Sequence, residues 1–116
     1  MYNYAVLLQE GIGVEKNVAE AARFYQMAGD RGSSDAQSNY AILLTSGAPG
    51  LPKDLMKAKK YAKMAAEQGN PTGQCVYAQL LLLIDNNRNE AIKYFKLAAE
   101  QGNKRAQRKL SEMNIS

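Results

Sequence analysis

The sequence of 116 residues lacks histidine and tryptophan and contains a single cysteine, Cys75. Without histidine the chain has neither the commonest general base nor one of the usual zinc ligands. No nucleophile, base and orienting group can be assembled from what remains. We therefore expect no catalytic residue, no metal site and no cofactor. A lone cysteine cannot form an internal disulfide, which favours a reducing compartment, and we expect the cytoplasm.

The sequence also lacks a long apolar run. Its longest, residues 80–84, is far shorter than the about 20 residues that span a bilayer. Residues 1–10 have no basic residue ahead of their short apolar run, so they do not resemble a signal peptide. We expect no direct insertion into a membrane.

The excess of basic residues is small and unevenly distributed. There are 15 basic and 11 acidic residues, a net charge of +4, which is too little to indicate a nucleic-acid binder. The net charge is −2 over residues 1–37, +3 over residues 38–74 and +3 over residues 75–116. Aromatic residues are not interleaved with the adjacent basic pairs, as base stacking would require. A helical repeat protein that binds nucleic acid through a basic surface is the alternative function.

What the sequence does contain is an internal repeat. Three similar segments align at Gly32, Gly69 and Gly102, which are 37 and 33 residues apart. The motif Tyr-Ala-x-Leu-Leu also recurs, at residues 4–8, 40–44 and 77–81. A period of about 35 residues indicates a stacked array of supersecondary units. We predict repeat 1 at about 1–33, repeat 2 at about 34–70, repeat 3 at about 71–103, and a partial repeat or cap at 104–116.

Each repeat is predicted to be a hairpin of two helices, because small and apolar residues recur in it at helical spacing. The first helices are predicted to start near Ser34, Pro71 and Lys104. The second helices are predicted to start at N-caps and to end at the aligned glycines; the caps are Asn17, Asp54 and Asn87. Recurrent alanines let helices approach closely, with Phe24, Tyr61 and Tyr94 between them. The predicted fold class is an all-α, right-handed α-solenoid of about three helix-turn-helix repeats plus a partial C-terminal helix.

These residues resemble the Sel-one-like repeat (SLR), a branch of the tetratricopeptide-repeat superfamily. The resemblance is carried by Gly11-Ile-Gly13-Val14 and by Lys-Met-Ala-Ala-Glu-Gln-Gly-Asn at residues 63–70, which is echoed at 96–103. Some positions depart from the family pattern: Ala41, Ala78 and Ser111 lie where the family often has glycine. The third copy has lost the Gly-x-Gly-Val loop, so we expect a tighter hairpin there.

The resemblance implies a non-catalytic protein–protein interaction module, an adaptor or scaffold that binds a protein or peptide. In a curved solenoid the first helices lie on the concave side. Their positions that do not face a neighbouring helix are the candidate partner-binding residues: Gln9, Ser38, Ile42, Thr45, Cys75, Gln79, Leu82, Arg105 and Arg108. This strip becomes basic toward the C-terminus. We therefore expect the groove to bind an extended peptide or a helix, with acidic side chains or a C-terminal carboxylate at the basic end.

The phase of the repeats gives one more expectation. By alignment, Tyr4 lies inside a first helix that should begin before Met1, and residues 106–116 match the start of a fourth first helix. We expect a piece of a longer array. The alternative is a small protein whose polar last helix acts as a cap. Exposed repeat ends would also allow end-to-end self-association.

Overall fold

The computed structural model of the chain describes residues 18–47 and 51–114. Within these two ranges it consists of helices and connecting turns, without a β-strand, and its dimensions are 43 × 25 × 25 Å. The elements are α1 (Val18–Asp30), α2 (Ser34–Ser46), α3 (Leu55–Glu67), α4 (Pro71–Leu80), a π-helix (Leu81–Asp85), α5 (Arg88–Glu100) and α6 (Lys104–Glu112). Each α-helix packs against the next one along the chain, and α2 also packs against α4. The predicted all-α solenoid is therefore confirmed.

The predicted helix ends are also confirmed where the structure describes them. The first helices α2, α4 and α6 begin at the predicted residues, and Asn70 and Asn103 cap two of them. Asp54 and Asn87 cap the second helices α3 and α5. The three aligned glycines that follow the second helices have positive φ angles of 105°, 87° and 92°, which favour glycine at a helix end. Gln9, the loop at residues 11–14 and the predicted cap Asn17 lie outside the described residues.

Small residues and aromatic side chains form the core between the helices. Recurrent alanines of the second helices are fully buried, namely Ala21, Ala58, Ala65, Ala91 and Ala98, except that Ala28 is 8% exposed. Two aromatic pairs repeat from one hairpin to the next, with edge-to-face rings whose centroids are 4.7 Å apart for Tyr40 and Tyr61 and 5.0 Å apart for Tyr77 and Tyr94. Tyr61 is buried, and Phe24 and Tyr94 are half-buried against the core. The core interpretation of the aromatic residues is therefore confirmed.

A set of glutamine hydrogen bonds repeats between the hairpins, and we call this set the amide relay. Nε2 of Gln37 donates to the carbonyl oxygen of Gly29 (2.9 Å), and Oε1 of Gln37 accepts from Nε2 of Gln68 (2.8 Å). One repeat later, Gln74 accepts in the same way from Gln101 (2.8 Å). The last member of the relay, Gln107, donates to the carbonyl of Ala99 (3.0 Å). Each bond links a first helix to a second helix or to the residue directly after one, so the relay connects neighbouring hairpins.

The third hairpin is tighter than the second, as expected from its shorter loop. After α4 the chain continues through the π-helix, and Asn86 then adopts a left-handed φ of 52° directly before the cap residue Asn87. The backbone N–H of Asn87 donates to the carbonyl of Leu81 (3.0 Å) and closes the turn. An ion pair between Asp85 and Lys59 fastens this turn to α3. The wider π turn therefore accommodates the shorter connection.

Candidate partner-binding groove

The first helices lie side by side and form a groove whose floor is α4. Ile42 of α2, Val76 of α4 and Arg105 of α6 line the same cleft, which has a volume of about 250 Å³. Thr72, Cys75, Asn103 and Lys104 complete its lining. Residues from three successive first helices therefore line one cleft on this face of the solenoid.

Two further clefts continue the groove toward the C-terminal ends of the first helices. A cleft of about 160 Å³ contains Ile42, Val76 and Arg105 again, together with three further residues: Thr45, Ser46 and Gln79. Gln79 also lines a cleft of about 320 Å³ with Leu82, Leu83 and Lys109. Since neighbouring clefts share lining residues, we treat them as one groove. Its two ends are the basic end, at Lys104 and Arg105, and the leucine end, at Leu82 and Leu83.

The structure brings most of the predicted partner-binding residues together in this groove. Its lining includes six of them: Ile42, Thr45, Cys75, Gln79, Leu82 and Arg105. Arg108 is exposed but lines none of these clefts. Gln9 falls in the part of the chain that the structure does not describe.

Ser38 and Cys75 differ from the expectation that they are exposed. They occupy the same position in α2 and α4, and their exposed fractions are only 2% and 1%. The hydroxyl of Ser38 lies 3.1 Å from Oδ1 of Asn70, the residue that caps the next first helix. These positions therefore face the junction between first helices, and a partner cannot reach Ser38. Burial raises the pKa of the Cys75 thiol, against a smaller lowering by Arg105, so this side chain lines the cleft as a neutral group.

The basic end of the groove concentrates positive charge. The first turns of α1, α2 and α5 carry acidic residues, namely Glu20, Asp35 and Glu90, which suit the positive end of a helix dipole. The first turn of α6 carries Lys104 and Arg105 instead. Neither side chain forms an ion pair within the described ranges, where the pairs are Lys59 with Asp85 and Lys109 with Glu112. The positive charges of Lys104 and Arg105 thus add to the positive end of the α6 dipole, and no carboxylate in the described ranges forms an ion pair with either side chain.

Sequence reasoning missed part of the groove. Leu83 is 63% exposed at the leucine end, and no local pattern in the run at 80–84 distinguishes it from its neighbours. Val76 is buried in the floor and was not selected, because its exposure depends on how α2 and α6 close over α4. Two sequence signals indicate the basic end: the adjacent pair Lys104 and Arg105, and the presence of Arg105 and Arg108 at the C-terminal end of the candidate strip.

The described residues contain neither a metal-binding cluster nor a membrane-spanning helix. No group of three His, Cys, Asp or Glu side chains in these ranges could hold a metal ion. No helix among those described has both the length and the apolar character needed to cross a membrane.

Comparison with known proteins identifies the family. The sequence-family model of the Sel1 repeat matches residues 1–33, 34–70 and 73–103 of this chain. Among solved structures, c5321, a protective antigen of uropathogenic Escherichia coli with an SLR fold, is 28% identical with a TM-score of 0.88. A Sel1 repeat protein from Oxalobacter formigenes is 26% identical with a TM-score of 0.81.

These matches include nearly all of this chain, 97% and 96%, but the chain spans only 24% and 46% of the two proteins. The search of curated proteins found no match. Because the three matched segments make up most of the sequence, the chain belongs to the Sel1 repeat family, whose members are typically protein–protein interaction modules.

Proposed function

We propose that the chain is a non-catalytic adaptor or scaffold module that binds a segment of a protein partner in the groove over α4. The observation that carries this proposal is the cleft that Ile42, Val76 and Arg105 line together, each from a different first helix. A partner in this cleft would contact the first helices of three consecutive repeats at once. The family's typical role in protein–protein interaction supports the same function.

The chemistry of the groove suits a peptide with both apolar and acidic side chains. Ile42 and Val76 offer an apolar floor, while Thr45 and Gln79 offer hydrogen-bonding groups beside it. Recognition of peptides in helical grooves uses this combination of apolar anchors and a few polar contacts. At the basic end, uncompensated cations would attract carboxylates by charge complementarity. The proposed partner is therefore acidic.

The scaffold beneath the groove supports binding because it is held in place before a partner arrives. Gln37 and Gln74 of the amide relay are 1% and 4% exposed, so the first-helix ends of the hydrogen bonds that connect the hairpins are shielded from water. A groove that is already formed loses less conformational freedom when it binds. We propose the cytoplasm as the compartment, which the single free cysteine supports.

The test is a selection of binding peptides from a random peptide library on the full chain, followed by affinity measurements with variants. Arg105→Glu should weaken the selected peptides about tenfold or more, because it removes a charge-assisted contact. Arg88→Glu is the matched control, since Arg88 is also exposed in the first turn of a helix but lines none of the groove clefts. It should leave affinity nearly unchanged.

Two results would contradict the proposal. Equal losses in Arg105→Glu and Arg88→Glu would show attraction to overall charge rather than a site. Single-stranded RNA that binds with a steep dependence on salt, while no peptide is selected, would favour the nucleic-acid alternative. Light scattering at the same protein concentrations distinguishes peptide binding from self-association of the chain.

A further inference from the structure

The leucine end of the groove, at the π-helix, is more apolar than the equivalent part of the preceding hairpin. Leu82 and Leu83 occupy the repeat positions that Thr45 and Ser46 hold in repeat 2. Leu83 is 63% exposed and Leu82 is half-buried, and both line the cleft of about 320 Å³. Wider π turns within α-helices are frequent at functional sites because they redirect side chains. Here the wider turn places two leucines around one cleft.

The leucine end carries little net charge, in contrast to the basic end. Lys109 is the one cation in the lining of this cleft, and its Nζ lies 3.9 Å from a carboxylate oxygen of Glu112. An apolar cleft of this kind suits a large aliphatic side chain and does not suit a phosphate backbone. The two ends of the groove therefore select different groups on one partner.

The distance between the two ends limits the spacing of those groups. Thr72 lies at the basic end and Leu82 at the leucine end, ten residues apart along α4 and its π-helix. At 1.5 Å per residue the separation is about 15 Å. An extended peptide advances about 3.3 Å per residue, so about four or five residues cover that length. The middle cleft, of about 160 Å³, suits a single inward side chain of such a peptide.

From these observations we infer that the partner is an extended peptide with two recognition groups. A large aliphatic side chain enters the cleft at Leu82 and Leu83, and an acidic residue about four or five positions away contacts Lys104 and Arg105. This inference rests on the proposed function and specifies its ligand. Leu83 is a specificity-determining residue in this arrangement, because it contacts the aliphatic group and not the backbone of the peptide.

The experiment uses peptides selected from the random library on the full chain. The selected peptides should share a leucine, isoleucine, methionine or phenylalanine about four or five positions from an acidic residue. Replacing that aliphatic residue with serine should weaken binding about tenfold. Leu83→Ser should weaken binding by a similar factor. Leu97→Ser is the matched control, because Leu97 is 38% exposed on α5 and lines none of the groove clefts, and it should leave affinity unchanged.

A double-mutant cycle connects the two halves of this test. If the aliphatic residue contacts Leu83, replacing it should have little effect on the affinity for the Leu83→Ser variant. Additive losses would overturn the assignment of the leucine end. Selected peptides that are acidic without an aliphatic residue, and that are sensitive to Arg105→Glu but not to Leu83→Ser, would also overturn it while leaving the groove as the binding site. If no peptide is selected, both the inference and the proposed function fail.

Discussion

The amide relay makes a quantitative prediction about the stability of the solenoid. Gln37→Met keeps a side chain of similar length but removes two hydrogen bonds, one to the carbonyl of Gly29 (2.9 Å) and one from Gln68 (2.8 Å). The Gly29 carbonyl keeps a bond from the N–H of Gly32 (2.9 Å), and the exposed amide of Gln68 can bond to water. The cost is therefore that of two net hydrogen bonds, about 1–2 kcal/mol of unfolding free energy.

Gln107→Met is the matched control, because Gln107 occupies the same repeat position in α6. Gln107 is exposed and donates one bond, to Ala99, so its replacement should cost about 0.5 kcal/mol or less. Equilibrium unfolding in urea, followed by far-UV circular dichroism, measures both values. Equal losses in the two variants would refute the reasoning, because burial of the relay would then make no difference. A cycle that pairs Gln37→Met with Gln68→Met should show a positive coupling energy.

Three further predictions concern other parts of the molecule. Gly73→Ala should lower the free energy of unfolding by about 1–3 kcal/mol, because the new Cβ would lie 2.5 Å from Cβ of Ala65 and α4 must shift. An unchanged urea midpoint would show that α4 can move away from α3 without a cost in stability. Arg105→Glu should increase the unfolding free energy by about 0.3–1 kcal/mol, since a carboxylate suits the first turn of α6, and a decrease would contradict this. Iodoacetamide should alkylate Cys75 slowly in the native state and faster in urea, because burial raises the pKa of this thiol. The thiol has a lower pKa in the unfolded chain than in the folded one, so it loses its proton at lower pH when unfolded. The free energy of unfolding should therefore fall as pH rises into the alkaline range, which urea midpoints at neutral and alkaline pH would detect.

The helices could be predicted from the sequence because their ends are encoded locally. Asn70 and Asn87 cap helices with their own side chains, and the aligned glycines end helices through their own backbone angles. The stacking followed from the repeat, because a single hairpin cannot bury both of its faces. Neither inference required knowledge of distances between helices.

The candidate site was only partly predictable because side-chain exposure depends on the distances between helices. Gly73 lets α4 approach α3 closely, and Cys75, two residues further along α4, is buried in the structure. The exposure of Leu83 depends on a π-helix that no local motif in the run at 80–84 indicates. Partners in the amide relay lie up to 31 residues apart, so their pairing also became visible only in the structure.

Variation among the repeats of this one chain gives an independent argument for the groove. Positions that pack against equivalent neighbours recur, since each hairpin meets the same surroundings; the relay position, for example, is glutamine in α2, α4 and α6. Positions along the groove do not recur. Asp35, Thr72 and Arg105 are equivalent, and their charge changes from negative through neutral to positive along the solenoid.

Asp35 accepts a hydrogen bond from Nδ2 of Asn70 in the next repeat (2.8 Å), whereas Thr72 and Arg105 line the groove. Under the proposed function, this gradient of charge would orient the acidic peptide with its carboxylates toward α6. Replacing Thr72 with lysine would add a cation at the basic end, and the selected peptides should carry more acidic residues at the same spacing from their aliphatic residue. A change in the preferred spacing would contradict the distance of about 15 Å between Thr72 and Leu82 as the length that the peptide covers.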